Sequence, residues 1–184
     1  LSDDARFHCT LLTAKELDLL NTGKVVEYFS NNSFDFVVNC AAYTAVDKAE
    51  VELELNDRLN NLVVETLADL CRKQDAFFIH ISTDFVFDGT KCSPLIESDI
   101  TNPLQAYGRA KLQGEASVTA GIVLRTSWLY SPYGNNFVKT MLRLGSEREQ
   151  LNVVNNQIGT PTYAYDLARV IVAICLDKKY KEKN

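Results

Sequence analysis

The sequence predicts an α/β fold built on a doubly wound parallel sheet. Short, mainly apolar runs alternate with amphipathic stretches along the 184 residues. Nearly continuous apolar strands are typical of a parallel sheet that helices cover on both faces. The alternation of strands and helices indicates repeated β-α-β units with right-handed crossovers. Because neither an internal repeat nor an interdomain linker is evident, we expect residues 1–184 to form a single domain.

Each predicted element follows from its own pattern. Buried strands are predicted where apolar residues predominate, at Phe34–Cys40, Ala76–Ile81 and Gly121–Arg125, with Phe7–Leu11 as a fourth candidate. Helices are predicted where the apolar spacing fits one helical face, at Thr22–Ser30, Glu54–Lys73, Ala106–Ser117, Asn135–Leu144 and Tyr165–Leu176. In the second of these helices, the face expected to be buried contains Leu55, Leu59, Leu62, Val63 and Leu67.

The composition excludes several classes of partner. A net charge of -5 gives no electrostatic footprint for nucleic acid. No apolar run approaches the roughly 20 residues that a membrane span needs. Five scattered cysteines form no C-x-x-C pair, and His8 and His80 are the two histidines, so no metal site is expected. An odd number of cysteines suits reduced thiols, which favours a cytoplasmic location.

A long segment without periodicity follows the second predicted strand. Thr83–Gln105 contains Gly89, Pro94 and Pro103 and fits neither a helix nor a strand. Loops of this length inside a compact domain are usually functional. Because ligands of open α/β sheets bind at the carboxyl ends of the strands, this segment marks a candidate site.

Tyr107 and Lys111 form a Y-x-x-x-K pattern at the start of a predicted helix. The i, i+4 spacing places both side chains on one face. A lysine ammonium beside the phenol would lower the tyrosine pKa from its usual value near 10, which would permit proton exchange near neutral pH. Taken alone, the pattern is better explained by a surface tyrosine beside a surface lysine.

Two strand ends supply further candidates. Ser82 and Thr83 end one strand in hydroxyl groups that could donate to a substrate carbonyl. Ala41 and Ala42 follow the preceding strand, where small residues would let a flat cofactor approach the backbone. The alternatives are a turn or helix cap for the hydroxyl residues and close packing for the alanines.

Six motifs together resemble the dTDP-4-dehydrorhamnose reductases, nucleotide-sugar reductases of the extended short-chain dehydrogenase family. They read N-C-A-A-Y-T-A-V-D-K-A-E, S-T-D-F-V-F-D-G, N-P-L-Q-A-Y-G-R-A-K-L-Q-G-E, R-T-S-W-L-Y, G-N-N-F and N-Q-I-G-T-P-T, beginning at Asn39, Ser82, Asn102, Arg125, Gly134 and Asn156. They cover essentially the whole chain. The resemblance implies a Rossmann-like fold and an NADPH- or NADH-dependent reduction of the C4 keto group of dTDP-4-dehydro-6-deoxy-L-mannose to dTDP-L-rhamnose.

The resemblance also implies roles for single residues. Tyr107 would be the general acid, Lys111 would hold the nicotinamide ribose, and Thr83 would bond the same substrate oxygen. The cofactor would also contact Asp18, Leu19, Ala41, Ala42, Tyr43 and Thr44. The substrate would contact Thr83, Asp84, Trp128, Asn136 and Gln157. A core aromatic is the alternative for Trp128, and a homodimer is compatible with the resemblance.

The sequence departs from the family in identifiable places. The glycine-rich phosphate loop, G-x-x-G-x-x-G, does not occur in these residues. We therefore expect the chain to lack the first β-α unit and the C-terminal substrate region, and to carry only part of the substrate site. Phe85 stands where the family usually has Tyr. Two other functions stay open: a non-catalytic regulatory subunit on the same fold, and another nucleotide-sugar reductase or epimerase.

Overall fold

The computed structural model of the chain describes residues 5–177 and residue 180. Three strands, β1 (Phe36–Asn39), β2 (Phe77–Thr83) and β3 (Gly121–Thr126), form one sheet in the order β1-β2-β3. Strands β1 and β2 are parallel, with Phe36 opposite Phe77 and Asn39 opposite His80. This register brings the carboxyl ends of β1 and β2 to the same edge of the sheet.

Seven α-helices connect and flank these strands in the described residues. They are α1 (Thr22–Asn31), α2 (Val46–Ala49), α3 (Leu53–Asp57), α4 (Val63–Lys73), α5 (Ala106–Ala116), α6 (Phe137–Glu147) and α7 (Ala164–Leu176). A π-helical turn, Arg58–Leu62, joins α3 to α4, and a 3₁₀ turn, Asp84–Val86, follows β2. Within the described ranges, none of these helices has the length and apolar character needed to cross a membrane.

The chain divides into two compact units. One comprises Leu1–Arg125 with Asp177–Asn184, and the other comprises Thr126–Leu176. A compact unit is not by itself a separate domain, so the expected single domain stays a prediction. In the second unit, Tyr130 and Tyr163 form a parallel bridge and their rings stack with centroids 5.2 Å apart.

The main core of the first unit lies between α1, α4 and the sheet. Asn21 caps α1 by accepting a hydrogen bond from the Lys24 N–H (3.1 Å). The helix then buries Val25 and Phe29, which are four residues apart and therefore share one face. The same core contains Leu17, Val63, Val64, Leu67, Leu70, Cys71, Ala76 and Phe78.

Two expectations about local structure are wrong. Phe7–Leu11 forms no strand, and Leu11 is 70% exposed. The apolar run finds no ladder partner among the described residues, and a strand needs one to satisfy its backbone groups. Glu54–Lys73 is not one regular helix, because the π turn interrupts it. The turn also shifts the buried face, so that Leu62 is 46% exposed while Asn60 is fully buried.

Close packing of α5 against the π turn gives a prediction about stability. A Cβ at Gly114 would collide with the carbonyl oxygen of Asn60, which is backbone and cannot move alone. We expect Gly114→Ala to lower the free energy of unfolding by about 3 kcal/mol, as overpacking does. At Gly145 in α6 a Cβ meets nothing within 4 Å. There the same substitution should stabilise by about 0.5–1 kcal/mol through helix propensity. Equal melting temperatures for the two variants would contradict this packing.

Candidate active site

The carboxyl end of β2 and the first turns of α5 form the candidate site. Lys111 is 1% exposed, and its Nζ donates a hydrogen bond to the Ile81 carbonyl (2.7 Å). The same nitrogen lies 3.1 Å from the Nε2 of His80. The lysine is therefore not a surface residue, and its amine is held against the strand.

Tyr107 lies one helical turn before Lys111 and is 8% exposed. Its ring meets that of Phe85 edge-on with centroids 5.7 Å apart. Burial raises the pKa of Tyr107 above its usual value; the Thr83 hydroxyl opposes this rise, and the nearby Asp84 carboxylate adds to it. The phenol therefore keeps its proton at neutral pH and can act as a proton donor.

The expected lowering of the Tyr107 pKa by Lys111 is wrong for this geometry. The sequence spacing fixes the relation of the two Cβ atoms, but the long lysine side chain carries its terminal nitrogen to the Ile81 carbonyl and His80. Burial of the phenol is the dominant effect on its pKa.

Thr83 serves two purposes at the end of β2. Its Oγ1 accepts the Phe85 N–H (3.2 Å), which caps the 3₁₀ turn, and it lies 3.3 Å from Oδ1 of Asp84. The cap considered as an alternative for this residue is thus present, and the same hydroxyl influences the pKa of Tyr107. Burial raises the pKa of Asp84, while hydrogen bonds from Thr83 and the backbone oppose that rise.

Glu50 and Asn56 fix the start of α5. The Glu50 Oε1 accepts the N–H of Ala106 (2.7 Å), and the Asn56 Nδ2 donates to the Ala106 carbonyl (3.0 Å). A carboxylate at a helix N-terminus is favourable because it meets the positive end of the helix dipole. Both partners lie 50 or more residues before the helix, so they tie it to the segment after β1 and set the position of Tyr107.

The π turn holds both segments that were predicted to contact the cofactor. Asn60 accepts the N–H of Tyr43 (3.1 Å) through Oδ1 and donates to its carbonyl (2.9 Å) through Nδ2. Arg58 donates to the carbonyl of Leu20 (3.1 Å), in the turn that contains Asp18 and Leu19. π-Helical turns inside α-helices occur frequently at functional sites. The helix periodicity gave no sign of this role.

The predicted cofactor residues lie on exposed or half-buried backbone. Ala41 and Thr44 are exposed after β1, whereas Ala42 and Tyr43 are half-buried. Asp18 is exposed, and its carboxylate accepts the N–H of Leu20 (3.0 Å). Leu19 packs on the edge of the main core. No hydrogen bond among the described residues joins the Asp18 turn directly to residues 41–44, so the π turn is their link.

In the second unit, Trp128 is not a core residue. It is 37% exposed and has a positive φ of 49°, which is uncommon for a bulky side chain. Its indole contacts the Phe137 ring edge-on (5.1 Å) and lies so close to Gly159 that a Cβ there would clash with it. Strained backbone of this kind clusters at functional sites, which supports a binding role.

The other two predicted substrate residues have different surroundings. Asn136 caps α6 by accepting the Lys139 N–H (3.0 Å), and its Nδ2 donates to the Ser131 carbonyl (2.8 Å). Its amide is thus already used in the fold. Gln157 is exposed in a segment without regular structure. Their contact with substrate stays a prediction.

No group of three or more His, Cys, Asp or Glu side chains in residues 5–177 and 180 is placed to hold a metal ion. The nicotinamide end of a dinucleotide fits the residues present, because a buried amine and a phenol lie beside the exposed backbone that follows β1. The donors that would hold its pyrophosphate are not among the motifs of this chain.

Comparison with known proteins identifies the family. Residues 2–184 match the family model described as RmlD substrate binding domain. The chain belongs to this family. It is 42% identical over 178 residues to a dTDP-4-dehydrorhamnose reductase of Aggregatibacter actinomycetemcomitans, covering 95% of this chain and 60% of the relative. It is 46% identical over 155 residues to the reductase of Escherichia coli K12, covering 82% of this chain and 52% of that one.

Solved structures of the family have the same fold. A dTDP-4-dehydrorhamnose reductase from Clostridium acetobutylicum superposes with a TM-score of 0.86 at 43% identity, covering 91% of this chain and 61% of that one. The reductase from Bacillus anthracis, solved in complex with NADP, gives 0.89 at 37% identity, covering 94% and 64%. The predicted Rossmann-like parallel sheet and the motif resemblance are therefore confirmed. The chain spans between about half and two thirds of these relatives.

Proposed function

We propose that the protein is an NAD(P)H-dependent oxidoreductase that reduces the C4 keto group of dTDP-4-dehydro-6-deoxy-L-mannose to give dTDP-L-rhamnose. The observation that carries the proposal is the burial of Tyr107 and Lys111, one turn apart on α5, beside the buried Thr83 at the end of β2. This constellation lies at the carboxyl end of a central strand, where α/β sheets bind their ligands. Its setting in a chain of the RmlD family supports a 4-keto sugar nucleotide as the substrate.

Different residues of the chain would bind different parts of the cofactor. Lys111 would hold the nicotinamide ribose, Ala41–Thr44 would line the cofactor, and Asp18 with Leu19 would contact the adenine. The bound cofactor, NADPH or NADH, supplies the hydride. The protein orients it and supplies the proton.

Tyr107 and Thr83 would act on the substrate oxygen. Both side chains can hydrogen-bond the C4 oxygen, and Tyr107 gives its proton as negative charge grows there. A donor that interacts more strongly as charge develops lowers the barrier more than it tightens substrate binding. The raised pKa of Tyr107 supports this direction of transfer, because the phenol is protonated before reaction. Asp84, beside Thr83, would face the same sugar.

Replacement of Trp128 tests the proposed substrate contact. Because its indole is partly exposed and rests on Gly159, we expect Trp128→Ala to raise the substrate KM by about tenfold through loss of an apolar contact worth roughly 1.4 kcal/mol. Cofactor affinity should stay near that of the parent. Tyr133→Ala, at an exposed position in the same unit, is the matched control. A large loss of melting temperature with unchanged KM would show that Trp128 only supports the fold.

A cytoplasmic location is part of the proposal, and it is supported by the five cysteines, none of which forms a disulfide within the described residues. The homodimer stays a prediction.

The test is an assay of the full-length protein with NADPH or NADH and the 4-keto sugar nucleotide. We expect one reduced cofactor to be oxidised for each sugar reduced. An epimerase would convert the sugar without net loss of reduced cofactor, and a regulatory subunit would do neither. Either of these results would contradict the proposed reduction.

A further inference from the structure

A row of three buried polar side chains lies behind the candidate site. Asn39, His80 and Lys111 are all buried, and His80 and Lys111 almost completely. The Asn39 Nδ2 is 3.2 Å from the His80 Nδ1, and the His80 Nε2 is 3.1 Å from the Lys111 Nζ. The row connects the ends of β1 and β2 to α5. The sequence motifs assign no individual role to Asn39 or His80.

The donor and acceptor of each hydrogen bond in this row can be assigned from the Ala41 N–H, which lies at one end, to Lys111 at the other. The N–H of Ala41 can only donate, and it donates to the Asn39 Oδ1 (3.0 Å). The Asn39 Nδ2 therefore faces His80, and because an amide nitrogen only donates, the Nδ1 of His80 must accept. A neutral imidazole then carries its proton on Nε2 and donates it to Lys111. An ammonium has no lone pair, so this arrangement requires a neutral amine at Lys111.

A charged Lys111 requires the opposite arrangement. The ammonium would donate to the Nε2 of His80, whose proton would then lie on Nδ1. That proton needs the Asn39 Oδ1 as its acceptor, so the amide must turn around. The N–H of Ala41 then loses its partner and becomes available to a bound ligand.

We propose that His80 is a positioning residue for Lys111: together with Asn39, it couples the charge on Lys111 to the backbone N–H of Ala41. The functional consequence rests on the proposed function, since Ala41 and Lys111 are two of its cofactor contacts. A cofactor oxygen that accepts the Ala41 N–H favours the turned amide and with it the charged lysine. Cofactor binding and uptake of a proton by Lys111 are thereby linked.

The electrostatic surroundings allow Lys111 to be either charged or neutral. Burial, with a smaller contribution from the charge of Lys111, lowers the pKa of His80 to about 3, so the imidazole stays neutral. Burial, opposed by Glu115 on the same helix, lowers the pKa of Lys111 to about 8. Glu115 is itself paired with Arg125 through three hydrogen bonds (3.1, 3.2 and 2.7 Å). His80 and Glu115 are thus the titratable groups that act on Lys111, and its charge changes within an accessible pH range.

The tautomer of His80 tests the coupling directly. Long-range ¹H–¹⁵N NMR of the histidine rings in the cofactor-free protein should show the Nε2–H form well above the Lys111 pKa and the Nδ1–H form well below it. His80→Gln removes this ring and so identifies its signals by their loss, while His8→Gln identifies those of the exposed histidine. One unchanged tautomer across the titration would overturn the inference. This measurement needs neither substrate nor turnover, so its failure is distinct from failure of the proposed function.

The second test compares NADPH binding as a function of pH. In the parent, the proposal gives Lys111 a lowered pKa before NADPH binds and a higher pKa in the NADPH complex. Affinity should therefore fall as pH rises above about 8, approaching tenfold per pH unit. In His80→Gln, the amide can rotate to accept from an ammonium without turning Asn39, so the fall should begin at least about one pH unit higher. His8→Gln should behave as the parent. Coincident profiles for the parent and His80→Gln would contradict the coupling.

Discussion

Replacing Tyr107 by Phe is expected to lower the turnover rate of 4-keto sugar reduction by about 10²–10⁴-fold, while the substrate KM changes much less. The phenol is buried and protonated at neutral pH, so the variant loses only the proton donor and keeps the ring. Steady-state kinetics of the full-length protein measure both parameters. Tyr133→Phe, at an exposed tyrosine, is the matched control and should be silent.

The pH dependence of the reduction rate also tests the role of Tyr107. Since burial raises the pKa of Tyr107, its protonated, active form persists through the neutral range. The rate should then fall only on the alkaline side, as the phenol loses its proton. A Tyr107→Phe variant within about threefold of the parent rate would rule out the general-acid role.

Replacing Lys111 by Met should reduce cofactor affinity and turnover together. The substitution keeps the length and volume of the side chain but removes the donor to Ile81 and the partner of His80. We expect a loss of roughly 10²-fold in turnover from poorer orientation of the nicotinamide ribose. The unpaired buried groups should also lower the free energy of unfolding by about 1–3 kcal/mol.

Stability and function must be separated in this variant. Lys24→Met, at an exposed position of α1, is the matched control and should leave cofactor binding unchanged. Titration with NADPH and thermal melts are run on both proteins. A Lys111→Met protein that melts earlier but binds NADPH with the parent affinity would show that the lysine is structural.

The local sequence pattern was sufficient to predict most of the fold and to find the candidate catalytic residues. The three strands of the sheet and the helices α1, α5, α6 and α7 were predicted correctly because periodicity reports which face of an element is buried. Tyr107 and Lys111 were found together because i, i+4 spacing fixes their common face. The strand predicted at Phe7–Leu11 failed because an apolar run cannot specify its ladder partner.

The missed features all depend on hydrogen bonds between distant segments. Asn56 and Asn60 lie in a stretch that reads as one regular helix, yet they bond Ala106 and Tyr43. His80 lies inside an otherwise apolar strand and bonds Asn39 and Lys111. A signal was available in each case, since a buried polar side chain needs a partner and so predicts one. The identity of that partner required the fold.

The most direct test of the proposed reduction follows the hydride itself. Full-length protein is incubated with NADPH that carries deuterium at the transferable C4 position and with dTDP-4-dehydro-6-deoxy-L-mannose, and the sugar product is analysed by NMR and mass spectrometry. The proposed function predicts dTDP-L-rhamnose with one deuterium bound to C4 of the sugar for each NADPH oxidised. An unlabelled product, or a sugar that is recovered unreduced while the protein is folded and binds NADPH, would contradict it.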